Sequence, residues 1–155
     1  MAGPLLLRAM RVLGLDLGQR RIGMALSDEE QTFAFPLGAL ERSSERKDLT
    51  ELAKLVDEHA VERVVLGLPI HMDGRSGPEA ETARRFASAL HERTGRPVDL
   101  IDERWSSKEA ERALRESASR KQRRKRGNVD AVAASLILDT YLAQRRNRAD
   151  RREGD

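Results

Sequence analysis

The stretch RVLGLDLGQRRIGMALSD, residues 11–28, decides the fold. Its first part, Arg11–Asp16, is an apolar run that ends in a carboxylate, and Arg21–Asp28 is a second run after a short turn. A third and weaker strand is predicted over Thr32–Leu40. Because the connections are too short for crossover helices, these strands should form antiparallel hairpins. Pro36 cannot donate to a strand ladder, so the third strand should lie at an edge of the sheet or bend there.

Farther along the chain, helical periodicity alternates with short apolar runs. The predicted elements are a helix around Leu49–Val56, a strand at Arg63–Leu68, a helix around Ala80–Leu90, a strand at Val98–Asp102, and helices that start near Ser106 and Asn128. Gly95 and Pro97 mark the end of the second helix. The apolar stripe of the last helix is predicted at Val129, Val132, Ala133, Leu136, Ile137 and Thr140. Right-handed crossovers then give an α/β fold, a mixed five-stranded sheet of three antiparallel strands followed by parallel crossovers, flanked by about four helices.

Length and composition indicate one soluble domain. The 155 residues are enough for a single core, and the chain contains no Cys, which excludes disulfides and thiolate metal sites. No apolar run reaches the roughly 18 residues of a membrane helix, so we expect a cytoplasmic protein without a membrane partner. We expect residues 1–10 to be a disordered extension, 11–145 the folded domain, and 146–155 a basic, disordered tail.

The positive charge is concentrated toward the end of the chain. Residues 120–155 carry a net charge of +6, whereas the preceding residues carry −3. This asymmetry indicates a polyanionic partner, most often nucleic acid, although a solvated tail would explain the outermost charges equally well. The candidate phosphate-binding residues are Arg21, Arg104, Lys121, Arg123, Arg124, Lys125 and Arg126. Such contacts give sequence-independent affinity that falls steeply with salt.

Three acids stand where strand ends or a helix start could bring them to one point. Asp16 ends the first strand, Asp102 and Glu103 end the fifth, and Asp130 lies in the first turn of the last helix. Since successive strand residues point to opposite faces, only one of Asp102 and Glu103 can face the site, and we select Glu103. Carboxylates are the ligands that Mg²⁺ and Mn²⁺ prefer, and two such ions can activate water and stabilise a leaving oxygen. Taken singly, each acid could instead serve a turn, a helix terminus or a surface ion pair.

Four sequence blocks resemble the YqgF/RuvX family, whose members are described as pre-16S rRNA nucleases or Holliday junction resolvases. The blocks are LGLDLGQRRIGMALSD (13–28), VLGLPIHMDGRSG (65–77), DERWSS (102–107) and DAVAA (130–134). They occur in the family's order and span about Arg11 to Leu142. The resemblance implies an RNase H-like nuclease with Asp16, Glu103 and Asp130 as catalytic and metal-binding residues. It also implies precursor rRNA or branched DNA as substrate, with Mg²⁺ or Mn²⁺, two ions in all, as cofactor.

The chain departs from the family's pattern in two places. Trp105 and two serines replace the usual Leu-Thr-Thr, and Trp105 could pack in the core or stack on a splayed base. The second block has no acid at its strand end, only Gly67 and Pro69, so Glu103 would have to fill the space that a carboxylate occupies in some related resolvases. His71 in the following loop could assist a proton transfer or be a plain loop residue.

Two other functions fit parts of the sequence. A non-catalytic RNA- or DNA-binding assembly factor could use the same fold. An actin-like ATP-binding module would explain Asp16-Leu-Gly18 and Gly23, although such proteins pair two domains and this chain supplies one. Junction resolution would favour a homodimer that cuts both strands, whereas RNA trimming could use a monomer, and the sequence identifies no dimer face.

Overall fold

The first three strands of the sheet follow one another in the chain. The computed structural model describes residues 10–68, 77–102 and 126–154. Its first strands are β1 (Arg11–Leu17), β2 (Arg21–Ser27) and β3 (Ala34–Glu41), and β2 pairs antiparallel with both others, as predicted. β3 begins two residues later than predicted. The Asp28 carboxylate accepts hydrogen bonds from the backbone N–H groups of Thr32 and Phe33 at 2.7 and 2.9 Å, which holds both residues in the turn.

Pro36 was predicted to lie in an edge strand or at a bend, and β3 is both an edge strand and irregular near Pro36. The sheet order is β3-β2-β1-β4-β5, which places β3 at one edge. The register with β2 shifts between Met24 and Ala25, whose partners are Gly38 and Pro36. The strand therefore accommodates the missing N–H of the proline with one extra residue at Leu37.

The second half of the sheet is parallel. The chain continues through α1 (Glu45–Glu58), β4 (Val61–Leu68), α2 (Pro78–Thr94) and β5 (Val98–Asp102). β4 is parallel to both β1 and β5, so the carboxyl ends of these three strands lie at the same edge. α2 ends where predicted, at Gly95, whose φ of 71° is a left-handed conformation that glycine adopts without strain.

Each face of the sheet has its own hydrophobic core. On one face, α1 and α2 contribute Leu52, Val56, Phe86 and Leu90 to a cluster that includes Leu13, Leu15 and Leu66 of the strands. On the other face, the helix α3 (Arg126–Gly154) packs through Ala134, Ile137, Leu138, Tyr141 and Leu142 against Val12, Ala25, Val65 and Ile101. The mixed five-stranded sheet with helices on both faces confirms the predicted fold class. The helix predicted to start at Ser106 lies outside the described residues.

The buried stripe of α3 is displaced from the predicted one. Its buried residues are Ala131, Ala134, Ser135, Ile137, Leu138, Tyr141 and Leu142, whereas Val129, Val132, Ala133, Leu136 and Thr140 are only partly buried. Only Ile137 belongs to both sets, so the prediction placed the stripe on a neighbouring side of the helix. The sheet presents glycines at positions 14 and 23, and small residues such as Ala131 and Ala134 let the helix approach them closely.

The ends of α3 also differ from expectation. The helix already contains Asn128, the predicted cap, and continues to Gly154 through the stretch that we expected to be a disordered tail. Between these ends the sequence has no proline, and the last turns consist mainly of Arg, Ala, Asp and Glu. Arg145 and Arg146 also donate side-chain hydrogen bonds to Gln31 and to the Thr32 carbonyl, which attaches this part of the helix to the β2–β3 turn. No helix within the described ranges is long and apolar enough to cross a membrane.

Candidate active site

Asp16 lies near the carboxyl end of β1 and belongs to the face of the sheet that α3 covers. It is partly buried and pairs across the strands with Gly23 of β2. Val12 and Gly14, which share its side of the strand, both contact α3. Val12 belongs to the α3 core, and a Cβ at Gly14 would lie 2.8 Å from the Leu138 Cβ. By strand alternation the Asp16 side chain leaves the sheet on that same side.

Gly23 brings Asp130 to this point. A Cβ at Gly23 would lie 2.0 Å from the Asp130 carbonyl oxygen and 3.1 Å from the Asp130 Cβ, so the helix backbone rests directly on the glycine. Directly opposed residues of antiparallel strands have Cβ positions about 4.5–5.5 Å apart, which places the Asp130 Cβ within about 9 Å of the Asp16 Cβ. The structure thus brings together two of the three predicted acids, which the sequence separates by most of the chain.

Asp102 lies on the other face of the sheet. It is the last residue of β5 and pairs with Leu68, which belongs to the α1–α2 core. Its neighbour Ile101 belongs to the α3 core. Asp102 therefore does not share a face with Asp16 and Asp130. Glu103, the acid selected from the sequence, lies outside the described residues.

The turn after Asp16 is fixed by a buried ion pair on the opposite face. The Arg42 guanidinium donates to the Gly18 carbonyl at 2.8 Å and lies 3.6 Å from the carboxylate of Asp48, which is only 2 % exposed. The Asp48 carboxylate also accepts from the Ser43 backbone N–H at 3.0 Å, and the Arg42 guanidinium lies 5.9 Å from the centre of the Phe86 ring. The β1–β2 turn is thus anchored to α1 and α2, which limits the movement of Asp16.

The predicted phosphate-binding residues have different outcomes. The Arg21 side chain donates to the Glu41 carboxylate at 2.8 Å, so a phosphate at Arg21 would compete with an acid on β3. Arg126 is the first residue of α3, only four positions before Asp130. The remaining candidates, Arg104, Lys121, Arg123, Arg124 and Lys125, lie outside the described residues, as do Trp105 and His71.

Sequence reasoning missed the residue that assembles the acid pair. In the sequence, Gly23 stands out only as part of a motif, and its role depends on having no side chain. One signal was available, because an isolated glycine inside a strand pattern often marks the close approach of another backbone. The same sequence reasoning also missed Arg63, Asp99 and Tyr141, which meet on the α3 face.

Asp16 and Asp130 suit a hard divalent cation but do not form a complete site. Both supply carboxylate oxygens, the donors that Mg²⁺ and Mn²⁺ prefer. Among the described residues, no group of three Asp, Glu or His side chains is arranged to hold a metal ion. A third protein ligand would have to come from the part of the chain outside those residues.

The class of protein follows from the sheet and from solved structures that share it. Thermus thermophilus RuvC, solved with a Holliday junction substrate, superimposes with a TM-score of 0.60 at 15% identity, over 87% of this chain and 96% of that chain. The fowlpox virus Holliday junction resolvase gives a TM-score of 0.52 at 12% identity, over 87% of this chain and 99% of that chain. At this identity the likeness concerns the fold, which is RNase H-like.

Sequence comparison then identifies the family. The profile of the family described as "RuvX: Holliday junction resolvase" matches residues 10–144, and the chain belongs to this family. Relatives in Desulforudis audaxviator and Syntrophomonas wolfei, each named "Putative pre-16S rRNA nuclease", are 45% and 47% identical to it. The first alignment covers 89% of this chain and 97% of the relative, and the second covers 86% and 94%. The resemblance to the YqgF/RuvX family is thereby confirmed.

Proposed function

We propose that this protein is a divalent-metal-dependent nuclease that hydrolyses phosphodiester bonds in structured nucleic acid, with Asp16, Glu103 and Asp130 as the acidic site. The observation that carries the proposal is the contact of the Asp130 backbone with Gly23, the cross-strand partner of Asp16. The Cβ atoms of two acids from distant parts of the chain thereby lie within about 9 Å of each other, near the edge where three parallel strands end. Strand ends of this kind commonly hold catalytic groups.

Strand parity supports Glu103 as the third acid. Ile101 faces α3 and Asp102 faces the opposite side, so an extended chain through position 103 would return to the face of Asp16. The register sets Leu15 of β1 beside Leu66 of β4, and Leu66 beside Leu100 of β5. The end of β5 is therefore level with Asp16, two strands and roughly 10 Å away. Gly67 of β4 lies between them without a side chain to fill the gap.

Some residues of the chain would bind the metal ions and the substrate, and others hold the acids in position. The acids would hold one or two Mg²⁺ or Mn²⁺ ions, which supply an activated water and stabilise the leaving oxygen. The Arg42–Gly18 contact limits movement of the turn after Asp16, and the α3 backbone positions Asp130. The basic run 120–126, which precedes Asp130 in the chain, would bind the phosphates that flank the scissile bond.

The family description and the names of the relatives support two substrate classes. One is the 5′ end of precursor 16S rRNA, as part of ribosome biogenesis in the cytoplasm. The other is the Holliday junction of DNA recombination, for which a homodimer would allow paired cuts. An assembly factor that binds nucleic acid without cleaving it remains the alternative that the experiment must distinguish.

The test compares cleavage of a precursor 16S rRNA fragment and of a four-way DNA junction, with Mg²⁺, with Mn²⁺ and with a chelator. Asp16→Asn, Glu103→Gln and Asp130→Asn should each lower kcat at least about 100-fold, because each removes a charged ligand. Asp102→Asn, on the opposite face, is the matched control and should retain most of the activity. Full activity of Asp16→Asn would refute the mechanism. Tight RNA binding without metal-dependent cleavage would favour the assembly factor.

A further inference from the structure

A second candidate binding surface lies between the edge strand β5 and the distal half of α3. It is a groove of about 280 Å³, lined by Asp99, Leu100, Ile101, Tyr141, Gln144, Arg145 and Arg148. None of these residues was among the candidate site residues predicted from the sequence. We call this surface the β5–α3 groove.

Asp99 is the only acid among the described residues that line the groove, and its charge is already neutralised. The Asp99 carboxylate accepts a hydrogen bond from the Arg63 guanidinium at 2.9 Å and another from the Tyr141 hydroxyl. Arg145 and Arg148 add two positive charges to the same groove. An anion is therefore the ligand that the charge of this surface favours.

Arg145 is held in place by neutral groups. Its guanidinium lies 5.7 Å from the centre of the Tyr141 ring, and it donates to the side-chain oxygen of Gln31 at 3.2 Å. The Gln31 amide nitrogen donates to the Met10 carbonyl at 2.9 Å and to the Glu62 carboxylate. Arg145 is thus oriented through an aromatic ring and an amide. A guanidinium held in this way loses less conformational entropy when it binds a phosphate.

The groove begins beside the acid pair and leads away from it. Ile101 lies on the same face as Asp16 and level with it in the sheet. Arg145 and Arg148 follow Asp130 by 15 and 18 residues on one helix, which corresponds to about 22 and 27 Å. With a rise of about 3.4 Å per nucleotide of a duplex strand, these distances equal about six to eight nucleotides.

We propose that the β5–α3 groove binds phosphates of a substrate duplex about six to eight nucleotides from the bond that is cleaved. The inference rests on the proposed function, because it names the part of a nucleic-acid substrate that this surface contacts. It requires only binding, however, and can be tested with no cleavage at all.

The test measures binding to four-way DNA junctions with arms of 5 or 15 base pairs, by fluorescence anisotropy in a chelator over a range of salt concentrations. The variants are Arg145→Gln and Arg148→Gln. Arg46→Gln removes the same charge from an exposed position on the opposite face and is the matched control. Thermal unfolding midpoints verify that each variant is folded, and Arg148→Gln alters an exposed side chain.

Each groove variant should reduce the steepness of log K against log salt by about 0.9 on the long arms. If the variant and the unmodified protein bind equally at 1 M salt, the variant then binds about eightfold more weakly than the unmodified protein at 0.1 M. On the short arms, which end before the groove, the change should be less than about twofold. Equal losses on both arm lengths, losses as large in Arg46→Gln, or no binding of the long junction by the unmodified protein would each overturn the proposal. Binding that follows this pattern without any cleavage would refute the nuclease activity alone.

Discussion

Substitution of Gly23 by alanine tests how the acid pair is assembled. The added methyl group would lie 2.0 Å from the Asp130 carbonyl oxygen and 2.5 Å from its carbonyl carbon, whereas ordinary contacts begin at 3.4 Å. Backbone atoms cannot rotate away as a flexible side chain can. The helix must therefore move from β2 by about 1.4 Å at the residue that carries one of the acids.

Two effects of this displacement can be estimated. Overpacking a close contact costs about 1–3 kcal/mol, and each kcal/mol lowers the unfolding midpoint of a chain of this size by about 2–4 °C. A misplacement of about 1 Å at a reacting centre can lower the rate about 100-fold. We therefore expect Gly23→Ala to unfold about 2–12 °C below the unmodified protein and to lose about two orders of magnitude in kcat.

The assay measures kcat on the better of the two substrates at a temperature at which both proteins are fully folded. The control is Gly14→Ala, whose methyl group would meet the Leu138 Cβ at 2.8 Å and the Ala134 oxygen at 3.1 Å. Leu138 lies eight residues, or about 12 Å, along the helix from Asp130. Gly14→Ala should therefore lose stability but retain most of its kcat. A folded Gly23→Ala with kcat within twofold of the unmodified enzyme would refute the assignment of Asp130 to the site.

Three further predictions concern stability. Asp48→Ala should lower the free energy of unfolding, measured by urea titration, by about 1–3 kcal/mol, because Arg42 and the Ser43 N–H lose a buried partner. An unchanged free energy of unfolding would show that Asp48 does not stabilise the fold. Burial and the hydrogen bond to Asp99 raise the pKa of Tyr141 from 10.0 to about 12, and ultraviolet titration of the single tyrosine can measure this pKa. The free energy of unfolding should therefore fall as the pH rises from about 10 to about 12, because the unfolded chain loses the proton first. Tyr141→Phe should lack this loss. Hydrogen bonds from the Phe33 and Thr32 N–H groups lower the pKa of Asp28. The contribution of Asp28 to the free energy of unfolding should therefore be complete at neutral pH and disappear as the carboxylate is protonated below pH 3.8. In unfolding titrations, Asp28→Ala should lose less stability in acid than the unmodified protein.

Elements governed by local chemistry were predictable from the sequence. The hairpin strands follow from alternating apolar runs with short connections, and the end of α2 follows from the conformational preference of Gly95. The edge position of Pro36 follows from its missing N–H. The positions of Asp16 near the end of a strand and of Asp130 in the last helix were also predictable, whereas their role in a catalytic site stays a prediction.

Features governed by tertiary contact were not predictable in the same way. The buried stripe of α3 lies on a neighbouring side of the helix from the predicted one, because the close contacts with Gly14 and Gly23 decide which side of the helix faces the sheet. The continuation of α3 to Gly154 depends in part on Arg145 and Arg146, whose partners lie on a turn more than one hundred residues earlier. Such partners cannot be inferred from one segment of sequence.

The order of the elements along the chain has a consequence for synthesis. β1, with Asp16, is made first, whereas α3, with Asp130, follows all five strands. The α1–α2 core can form on one side of the sheet before this helix is made. A nascent chain that stops short of the helix would therefore hold a nearly complete sheet with half of its acid pair. Under the proposed assignment of the site, such a fragment would lack nuclease activity until the helix is added.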